Sequence, residues 1–480
     1  MKNLTPQAVW KYFDEITKIP RPSRKEEKMI AYLMDFAKKN NLEAKTDKTG
    51  NVLIKKKATP GKEQSPTVIL QSHIDMVCEK NADVNHDFDK DPIQTYIEDG
   101  WVKARGTTLG GDDGIGVASA MAILTDKEIA HGPIEALFTV DEETGMTGAF
   151  GLEKGFMEGK ILINLDSEDE GELFIGCAGG VDTVATFNYK RKEPAKKSRA
   201  FKITVEGLKG GHSGDDISKG LGNSNKILTR ILLRATDKCN IRLHNFDGGN
   251  LRNAIPREAC AIFTVKEKQT EKLQKLITKI STDIKNEFKV TEPDLQITCT
   301  ATDTPKWVLG KKTQNKLLRA LQACHHGVFS MSADMPGLVE TSSNLASVKF
   351  KEDNTIKVET SQRSSVESAK YYMAEVVGAA FKQAGAKVKH GDEYPGWKPN
   401  VNSKVLKVTE AAYLKLFGNK PIVRAIHAGL ECGLFLEKYP YLDMISFGPT
   451  IRGAHSPDER MEIATVEKFQ KLLVEVLAQL

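Results

Sequence analysis

The sequence has 480 residues, of which 40% are hydrophobic and 28% are charged, and its formal net charge at pH 7 is +5. This length suits one large domain or two to three ordinary ones, and the balanced charge argues against a nucleic-acid-binding protein. No apolar run approaches the roughly 18 residues that cross a bilayer, so no membrane segment is predicted. Seven cysteines without CxxC spacing argue against a disulfide framework, and we expect a cytoplasmic protein.

The first third of the chain alternates strands and helices. Two helical patterns at the start are followed by the strand patterns GNVLIKKK and PTVILQSHID. A glycine-rich segment that becomes an apolar helix, GDDGIGVASAMAILTD, precedes two strands that run into polar loops, PIEALFTVDEETG and KILINLDSED. This order predicts an α/β domain with a largely parallel central sheet, and such sheets carry their sites at the strand ends.

The pattern changes near residue 188, where strands become more amphipathic and helices become rich in lysine. Helical spacing is found near residues 224–236, 270–286, 312–325 and 366–384. The last part of the chain returns to the α/β pattern, with VLKVTEAAYLKLFG and YLDMISFGP. We therefore predict an α/β domain in two parts, residues 1–187 and 388–480, with an inserted α+β domain at 188–387.

Five segments at predicted strand ends carry acids or histidines. In the first, His73 and Asp75 lie two residues apart and point to one side of a strand, as a metal ligand with a helper carboxylate or as a surface pair. The other four contain Asp112 with Asp113, Glu142 with Glu143, Asp166, and His455. Gathered at one sheet edge, these carboxylates would repel one another without a cation. Mixed imidazole and carboxylate ligands fit zinc, with cobalt or manganese as alternatives.

Six motifs carry a resemblance to a known family: SHIDMV, GTTLGGDDGIG, DEETGMTGA, NLDSE, GGHSG and GPTIRGAHSPDE. They resemble the zinc-dependent M20 metallopeptidases, in particular the branch of aminoacyl-histidine dipeptidases, which cleave Xaa-His and beta-alanyl-histidine. The resemblance runs in order through essentially the whole chain and includes IPRPS near the start and HAGLECG near residue 430. Asp113 departs from the asparagine of close relatives, a change that the wider family accepts.

The resemblance implies two divalent metal ions and hydrolysis of a peptide bond by a metal-bridged water. The implied ligands are His73, Asp112 and Asp166 for one ion and Asp112, Glu143 and His455 for the other. Asp112 would bridge the ions, and Asp75 would orient the His73 ring and raise its basicity. Glu142 would be the general base, which takes a proton from the water and passes it to the leaving amine.

The resemblance also implies roles for three residues of the insert. His212 would donate a hydrogen bond to the tetrahedral oxyanion, and Asn253 would contact the substrate. Arg363 would bind the free carboxylate of a dipeptide with two hydrogen bonds. The insert is about twice as long as the lid of simpler family members, and its two halves follow a similar element order, which suggests an internal duplication. One chain would then carry all three residues, and a homodimer would be compatible with catalysis but not required.

Alternative functions remain open at this point. The nearest are other M20 activities, namely carboxypeptidase and aminoacylase; Asp166 favours a dipeptidase, because carboxypeptidases and aminoacylases of the family carry glutamate at this ligand position. A metal-binding scaffold without catalysis is the alternative from another class, but such a protein would be expected to lose Glu142 first. We expect small peptides as substrates and no nucleic-acid or membrane partner.

One further segment, QACHHGVF, brings Cys324, His325 and His326 together. We interpret it as the C-terminal turn of a helix that ends at Gly327, and not as a metal site. Histidines interact favourably with the helix dipole at that position.

Overall fold

The computed structural model describes residue 1 and residues 3–480. The α-helices are α1 (Gln7–Ile16), α2 (Glu27–Lys39), α3 (Gly111–Thr125), α4 (Glu142–Gly145), α5 (Thr147–Gly151), α6 (Ser224–Cys239), α7 (Thr270–Phe288), α8 (Lys311–Ala323), α9 (Glu367–Gln383), α10 (Lys404–Phe417), α11 (Glu431–Lys438) and α12 (Ile463–Gln479). Within the described residues, no helix is both long enough and apolar enough to cross a membrane.

The strands are numbered in chain order. They are β1 (Glu43–Thr46), β2 (Val52–Lys56), β3 (Val68–His73), β4 (Thr95–Glu98), β5 (Trp101–Ala104), β6 (Ile134–Thr139), β7 (Ile161–Asn164), β8 (Glu172–Cys177), β9 (Gly179–Asn188), β10 (Arg191–Lys192), β11 (Ser198–Glu206), β12 (Gly211–His212), β13 (Arg242–Gly248), β14 (Ala254–Ile255), β15 (Ala259–Lys266), β16 (Gln296–Thr302), β17 (Val308–Leu309), β18 (Gly327–Met331), β19 (Val339–Phe350), β20 (Thr355–Ser364), β21 (Lys387–Tyr394), β22 (Ile422–Ile426), β23 (Asp443–Ser446), β24 (Ile451–Arg452) and β25 (Arg460–Glu462).

The chain divides into two compact units. The first unit comprises Met1–Cys177, Trp397–Ala425 and Leu430–Leu480, and the second comprises Ala178–Gly396 and Ile426–Gly429. The sequence-based domain limits at 187/188 and 388 stay predictions. The structure pairs β9 with β21, the two strands that contain these limits, in the sheet of the second unit.

The main sheet of the first unit has the order β1-β2-β6-β3-β7-β23-β8-β22. Its central strands β6, β3, β7 and β23 are parallel, whereas the pairs β1–β2, β2–β6 and β23–β8 are antiparallel. The sheet is therefore mixed, and the prediction of a largely parallel sheet holds for its centre. Every residue of β3, β6 and β7 is buried, as expected for strands covered on both faces. The carboxyl ends of these three strands meet at one edge, because the strands are parallel.

The second unit contains an antiparallel sheet with the order β16-β11-β15-β13-β19-β20-β9-β21, and β18 pairs with β19 at its side. Its strands bury alternate residues, as the amphipathic pattern predicts. The core packs aromatic and aliphatic side chains of the sheet against α6 to α9, and it includes Phe246, Phe263 and Phe381.

The two halves of this second sheet share one topology. In the first half, the elements β11, α6, β13, β15, α7 and β16 follow one another, and the spatial strand order is β13-β15-β11-β16. In the second half, β9, α8, β19, β20, α9 and β21 give the order β19-β20-β9-β21. Each half therefore places its second, third, first and fourth main strands side by side.

The interpretation of QACHHGVF is wrong in one respect. Helix α8 ends at Ala323, and Cys324 already has an extended backbone. His325 and His326 lie beyond the helix, and Gly327 begins β18 instead of ending α8. His325 Nε2 lies 3.1 Å from the carbonyl oxygen of Val328, so the histidine is used in a local turn.

Candidate active site

Two ligand clusters form at the edge where β3, β6 and β7 end. His73, the last residue of β3, places its Nε2 atom 3.0 Å from Asp112 Oδ1 and 3.4 Å from Asp166 Oδ1. We call His73, Asp112 and Asp166 the His73 cluster. His455 places its Nε2 atom 3.2 Å from Asp112 Oδ2 and 3.0 Å from Glu143 Oε2. We call Asp112, Glu143 and His455 the His455 cluster.

Asp112 belongs to both clusters and offers a different oxygen to each. Its carboxylate lies near the start of α3, where the backbone at Asp112 and Asp113 is not helical. This local break turns the side chain of Asp112 toward the strand ends, whereas the helix beyond it is apolar and buried. A carboxylate in this position can bind two cations at once, one through each oxygen.

Asp75 connects the segment of His73 with the segment of Glu142 and Glu143. Its Oδ1 atom lies 3.3 Å from His73 Nδ1, the ring nitrogen that faces away from the cluster. Oδ1 also accepts a hydrogen bond from the backbone amide of Glu142 at 3.0 Å. Oδ2 accepts from the amide of Glu143 at 3.2 Å and from the hydroxyl of Ser23 at 2.8 Å. Burial raises the pKa of Asp75, but the interactions with His73, Ser23 and the amide of Glu142 together outweigh it and leave the pKa at about 2.

Glu142 lies beside the clusters without belonging to either of the two described above. One of its carboxylate oxygens comes within 4.8 Å of a ring nitrogen of His73 and of an oxygen of Glu143. Burial raises the pKa of Glu142 to about 8, against the opposing effect of His73. The carboxylates of Glu431 and Glu143 add to the increase. A carboxyl group with a pKa near neutrality can both take and release a proton at physiological pH.

The donor atoms fit two divalent cations. Within each cluster, one ligand atom per residue lies within 4.8 Å of the others. Glu143 Oε1 is buried and has no hydrogen-bond partner, so an acceptor is left for a positive charge. Hydrogen bonds that the His455 ring donates to Asp112 and Glu143 raise the pKa of His455 to about 11, as expected where carboxylates favour a positive charge. Mixed nitrogen and oxygen donors of this kind suit zinc and similar metals.

The second unit carries the three other residues that the sequence singled out. His212 lies in β12, and its Nδ1 atom accepts a hydrogen bond from the amide of Asp215 at 3.2 Å. The same Nδ1 atom lies 3.4 Å from Asp215 Oδ2, so Asp215 positions the ring through both contacts. Asn253 is exposed, and its carbonyl oxygen accepts from the amide of Ser213 at 2.7 Å. This bond and the pairing of β12 with β14 keep the His212 and Asn253 loops together.

Arg363, at the end of β20, is a buried cation. Its side chain donates to the hydroxyl of Tyr394 at 2.8 Å, and Nη2 lies 3.5 Å from His212 Nε2. Its Nε atom is buried without a hydrogen-bond partner. In the part of the chain that the structure describes, Arg363 forms no ion pair, although it is only 6% exposed. A buried guanidinium without a carboxylate is a good receptor for an anionic ligand.

Sequence reasoning missed several buried polar residues around these groups. In the first unit, Glu431 accepts from Gln71 at 2.7 Å and from Thr139 at 2.8 Å. In the second unit, His427 Nε2 lies 2.8 Å from the hydroxyl of Ser342. Arg21 and Glu459 are also buried. The motif IPRPS contains Arg21, HAGLECG contains His427 and Glu431, and HSPDE contains Glu459. These motifs carry the resemblance and were the available signal, but no role was predicted for these four residues.

The chain is similar to known proteins over nearly its whole length. The sequence profile of Peptidase family M20/M25/M40 matches residues 69–479. The cytosol non-specific dipeptidase of Escherichia coli (strain K12) is 44% identical over 480 residues, which cover 100% of this chain and 99% of that protein.

Solved structures give the same result. The crystal structure of aminoacylhistidine dipeptidase from Vibrio alginolyticus matches with a TM-score of 0.94 and 44% identity, and covers 100% of this chain and 98% of that one. Aminopeptidase PepT from Bacillus cereus shares the fold with a TM-score of 0.58 at 17% identity, over 99% of each chain. The family profile and the full-length relatives together establish that this chain is a member of peptidase family M20/M25/M40.

Proposed function

We propose that this chain is a dipeptidase that hydrolyses Xaa-His dipeptides, including beta-alanyl-histidine, and other dipeptides with free termini. The observation that carries the proposal is the carboxylate of Asp112, whose two oxygens face two different ligand clusters beside Glu142. Support comes from the Escherichia coli and Vibrio alginolyticus relatives, which are named dipeptidases and match the chain over its full length.

The proposed cofactor is a pair of divalent metal ions, most simply zinc, with cobalt or manganese as alternatives. The His73 cluster would hold one ion and the His455 cluster the other. When bound, two such ions lower the pKa of a water and polarise the carbonyl of the scissile bond. Asp75 would keep the His73 ring in the tautomer that leaves Nε2 free to bind the metal, because it faces Nδ1 at 3.3 Å.

Glu142 is the proposed general base. It would accept a proton from the attacking water and deliver it to the amine that leaves. Its partly buried position, its nearness to His73 and its pKa of about 8 support this role. Glu143, the next residue, points its Oε2 atom at His455 and is a proposed ligand, so the two adjacent acids have separate tasks.

The second unit would bind the ends of the substrate. Arg363 is proposed to hold the free carboxylate, which its buried and unpaired Nε atom supports. His212 would donate a hydrogen bond from its ring to the oxyanion that forms during attack. Asn253 is proposed as a further substrate contact, next to His212 through the pairing of β12 with β14.

We further propose that one chain supplies all of these groups. His212 and Arg363 of the same chain lie 3.5 Å apart, and the two halves of the second unit share one strand order, which supports an internal duplication. A homodimer would be compatible with this arrangement, but no partner residue would be needed. The protein would act on small peptides in the cytoplasm, as the name of the Escherichia coli relative suggests for that protein.

The main experiment is turnover of a peptide panel by the purified protein with zinc, cobalt and manganese in turn. The panel would contain beta-alanyl-histidine, alpha-linked Xaa-His and other dipeptides, N-acetylated and C-amidated forms of each, N-acetylated amino acids and longer peptides. We expect hydrolysis of the free dipeptides and little of the blocked ones. Faster cleavage of N-acetylated amino acids or of longer peptides would contradict the proposal and indicate an aminoacylase or a carboxypeptidase.

A mixing experiment tests whether one chain is sufficient. Inactive Glu142→Gln and inactive His212→Ala proteins would be combined under conditions that allow subunits to exchange. We expect no recovered activity, because each chain lacks one necessary group. Recovery toward a quarter or a half of the wild-type activity would show that His212 acts across a subunit boundary.

A further inference from the structure

Glu459 is a buried carboxylate that accepts hydrogen bonds from four consecutive backbone amides. Its Oε2 atom accepts from Leu109 at 2.7 Å and Gly110 at 3.0 Å, and its Oε1 atom accepts from Gly111 at 2.7 Å and Asp112 at 3.4 Å. Successive backbone amides of this kind form a concave site for an anion. The position of Asp112 therefore depends on a side chain that lies 347 residues later in the sequence.

Glu459 also belongs to the loop that carries His455. The amide of Glu459 donates to the carbonyl oxygen of Ser456 at 3.0 Å, and the hydroxyl of Ser456 donates to the carbonyl oxygen of Gly453 at 2.7 Å. Hydrogen bonds within the turn therefore stabilise the backbone around His455. The imidazole of His455 is 55% exposed, so packing does little to hold it. The contacts of Glu459 therefore keep this loop against the loop of Asp112.

Arg21 makes the corresponding connection to a third segment. Its Nη1 atom donates to the carbonyl oxygens of Ile74 at 3.1 Å and Asp75 at 2.6 Å, directly after His73. Its Nη2 atom donates to the carbonyl oxygen of Gly110 at 2.5 Å. Arg21 is 1% exposed, and these contacts tie the segment after β3 to the loop before Asp112.

The two charged side chains meet at one residue, Gly110. Its amide donates to Glu459, and its carbonyl oxygen accepts from Arg21. Gly110 has a φ of 69°, and a Cβ atom there would lie 2.5 Å from Arg21 Nη2. Only glycine allows both the left-handed backbone and the close approach of the guanidinium. The two backbone polar groups of this one residue are therefore held by side chains of opposite charge.

We propose that Arg21, Gly110 and Glu459 form a single clamp that sets the relative positions of the three metal-binding segments, those of His73, Asp112 and His455. Arg21 and Glu459 are positioning residues in this inference, because neither offers an atom to a ligand cluster. The inference rests on the proposed function, since it assigns the clamp a role in metal binding. Groups that orient metal ligands typically change metal affinity about 10- to 100-fold when they are removed.

The clamp makes a prediction that simple stabilisation of the fold does not make. Glu459 connects the segments of Asp112 and His455, so its loss should weaken chiefly the ion of the His455 cluster. Arg21 connects the segments of His73 and Asp112, so its loss should weaken chiefly the ion of the His73 cluster. A side chain that only stabilised the fold would lower the melting temperature without distinguishing one ion from the other.

The variants for this test are Glu459→Gln and Arg21→Lys, singly and together. Glutamine keeps the shape of glutamate but presents an amide group to the backbone N–H donors, and lysine keeps the charge of arginine but not its fork of donors. The controls are Asp458→Asn and Arg105→Lys, which make the same chemical changes at exposed positions. Cobalt would be titrated into metal-free protein and followed by visible absorption. His73→Ala and His455→Ala would supply the reference spectra for loss of each cluster.

We expect Glu459→Gln to lose affinity for one cobalt ion about 10- to 100-fold, with a spectrum at intermediate loading like that of His455→Ala. Arg21→Lys should give the corresponding loss with a spectrum like that of His73→Ala. The double variant should show less than the sum of the two single effects, because both act through Gly110. The controls should bind both ions as the wild type does.

Wild-type affinity for both ions in Glu459→Gln, with only a lower melting temperature of the metal-free protein, would overturn the clamp. Strictly additive losses in the double variant would also overturn it, because they would mean two independent supports. Should Glu459→Gln fail to fold, Glu459→Asp, which keeps the charge at a shorter reach, gives the same comparison. A wild-type protein that bound fewer than two ions would instead remove the proposed function, and this result is seen before any variant is measured.

Discussion

The two units of the chain use buried ionisable groups in opposite ways. In the first unit, carboxylates from several segments converge on two imidazoles. Glu143 Oε1 has no hydrogen-bond partner there, so a positive charge would stabilise it. In the second unit, Arg363 is a buried guanidinium that forms no ion pair among the described residues, and burial lowers the pKa of the nearby His427 to about 3. The first arrangement is suited to cations and the second to an anion.

This difference indicates where cations and where an anion would bind. Buried charges are costly unless they are compensated, so an uncompensated one marks a place where a ligand completes the structure. Under the proposed function, a dipeptide would offer its anionic carboxylate to Arg363, and metal ions would complete the site of Asp112.

Removal of metal should have the largest effect. We expect dialysis against a chelator to lower turnover of dipeptides at least about 1,000-fold, because the water would lose its activation. Added zinc, cobalt or manganese should restore activity with a stoichiometry of two ions per chain, measured by elemental analysis. Full activity in protein that elemental analysis shows to be free of metal would contradict the assignment of the two clusters.

Glu142→Gln should come next. Loss of the general base should lower kcat about 100- to 10,000-fold while both metal ions stay bound. Elemental analysis of the purified variant provides the check, and Glu153→Gln, at an exposed position, is the matched control. Loss of one equivalent of metal from Glu142→Gln would show that Glu142 is a ligand and that its assignment as base is wrong.

Arg363→Met should have a smaller effect, confined to substrates with a free carboxylate. A hydrogen-bonded charge of this kind is worth about 1.5–3 kcal/mol, so kcat/KM should fall about 10- to 150-fold. C-amidated dipeptides, which are expected to be poor substrates of the wild type, should be affected little by the substitution. Arg257→Met, at an exposed position, is the control. An equal loss on free and amidated substrates would mean that Arg363 does not recognise the carboxylate.

The smallest expected effect concerns the pH dependence of stability. Burial lowers the pKa of His427 from 6.5 to about 3, and the positive charge of Arg363 acts in the same direction. The unfolded chain therefore binds a proton that the folded one does not, and stability present above pH 6.5 is lost as the pH falls below it. At pH 5 this loss amounts to about 2 kcal/mol.

The measurement is urea unfolding of wild type and His427→Gln at pH 7.5 and pH 5.0. Glutamine can keep a hydrogen bond to Ser342 but does not titrate, so the variant should lose less stability on acidification than the wild type. An identical pH dependence in both proteins would show that His427 is not held neutral by its surroundings.

Much of the first unit could be predicted from local sequence. The strands β3, β6 and β7 are continuous apolar runs, and the polar residues that follow them must meet because parallel strands share one carboxyl edge. Long motifs then suggested a role for each acid and histidine. The antiparallel outer strands and the early end of α8 were missed, since neither strand direction nor the last helical turn is encoded by hydrophobic period.

The sequence patterns identify the chemical groups of this protein and the family to which it belongs. How groups distant in the chain support one another depends on the tertiary structure. Glu459 and Leu109 are 350 residues apart, yet they share a hydrogen bond of 2.7 Å. The physical reason is that periodicity and motifs report on near neighbours along the chain, whereas a buried charge is satisfied by whatever the fold brings to it. The partners of Arg21, Arg363 and Glu459 therefore could not be predicted from the sequence.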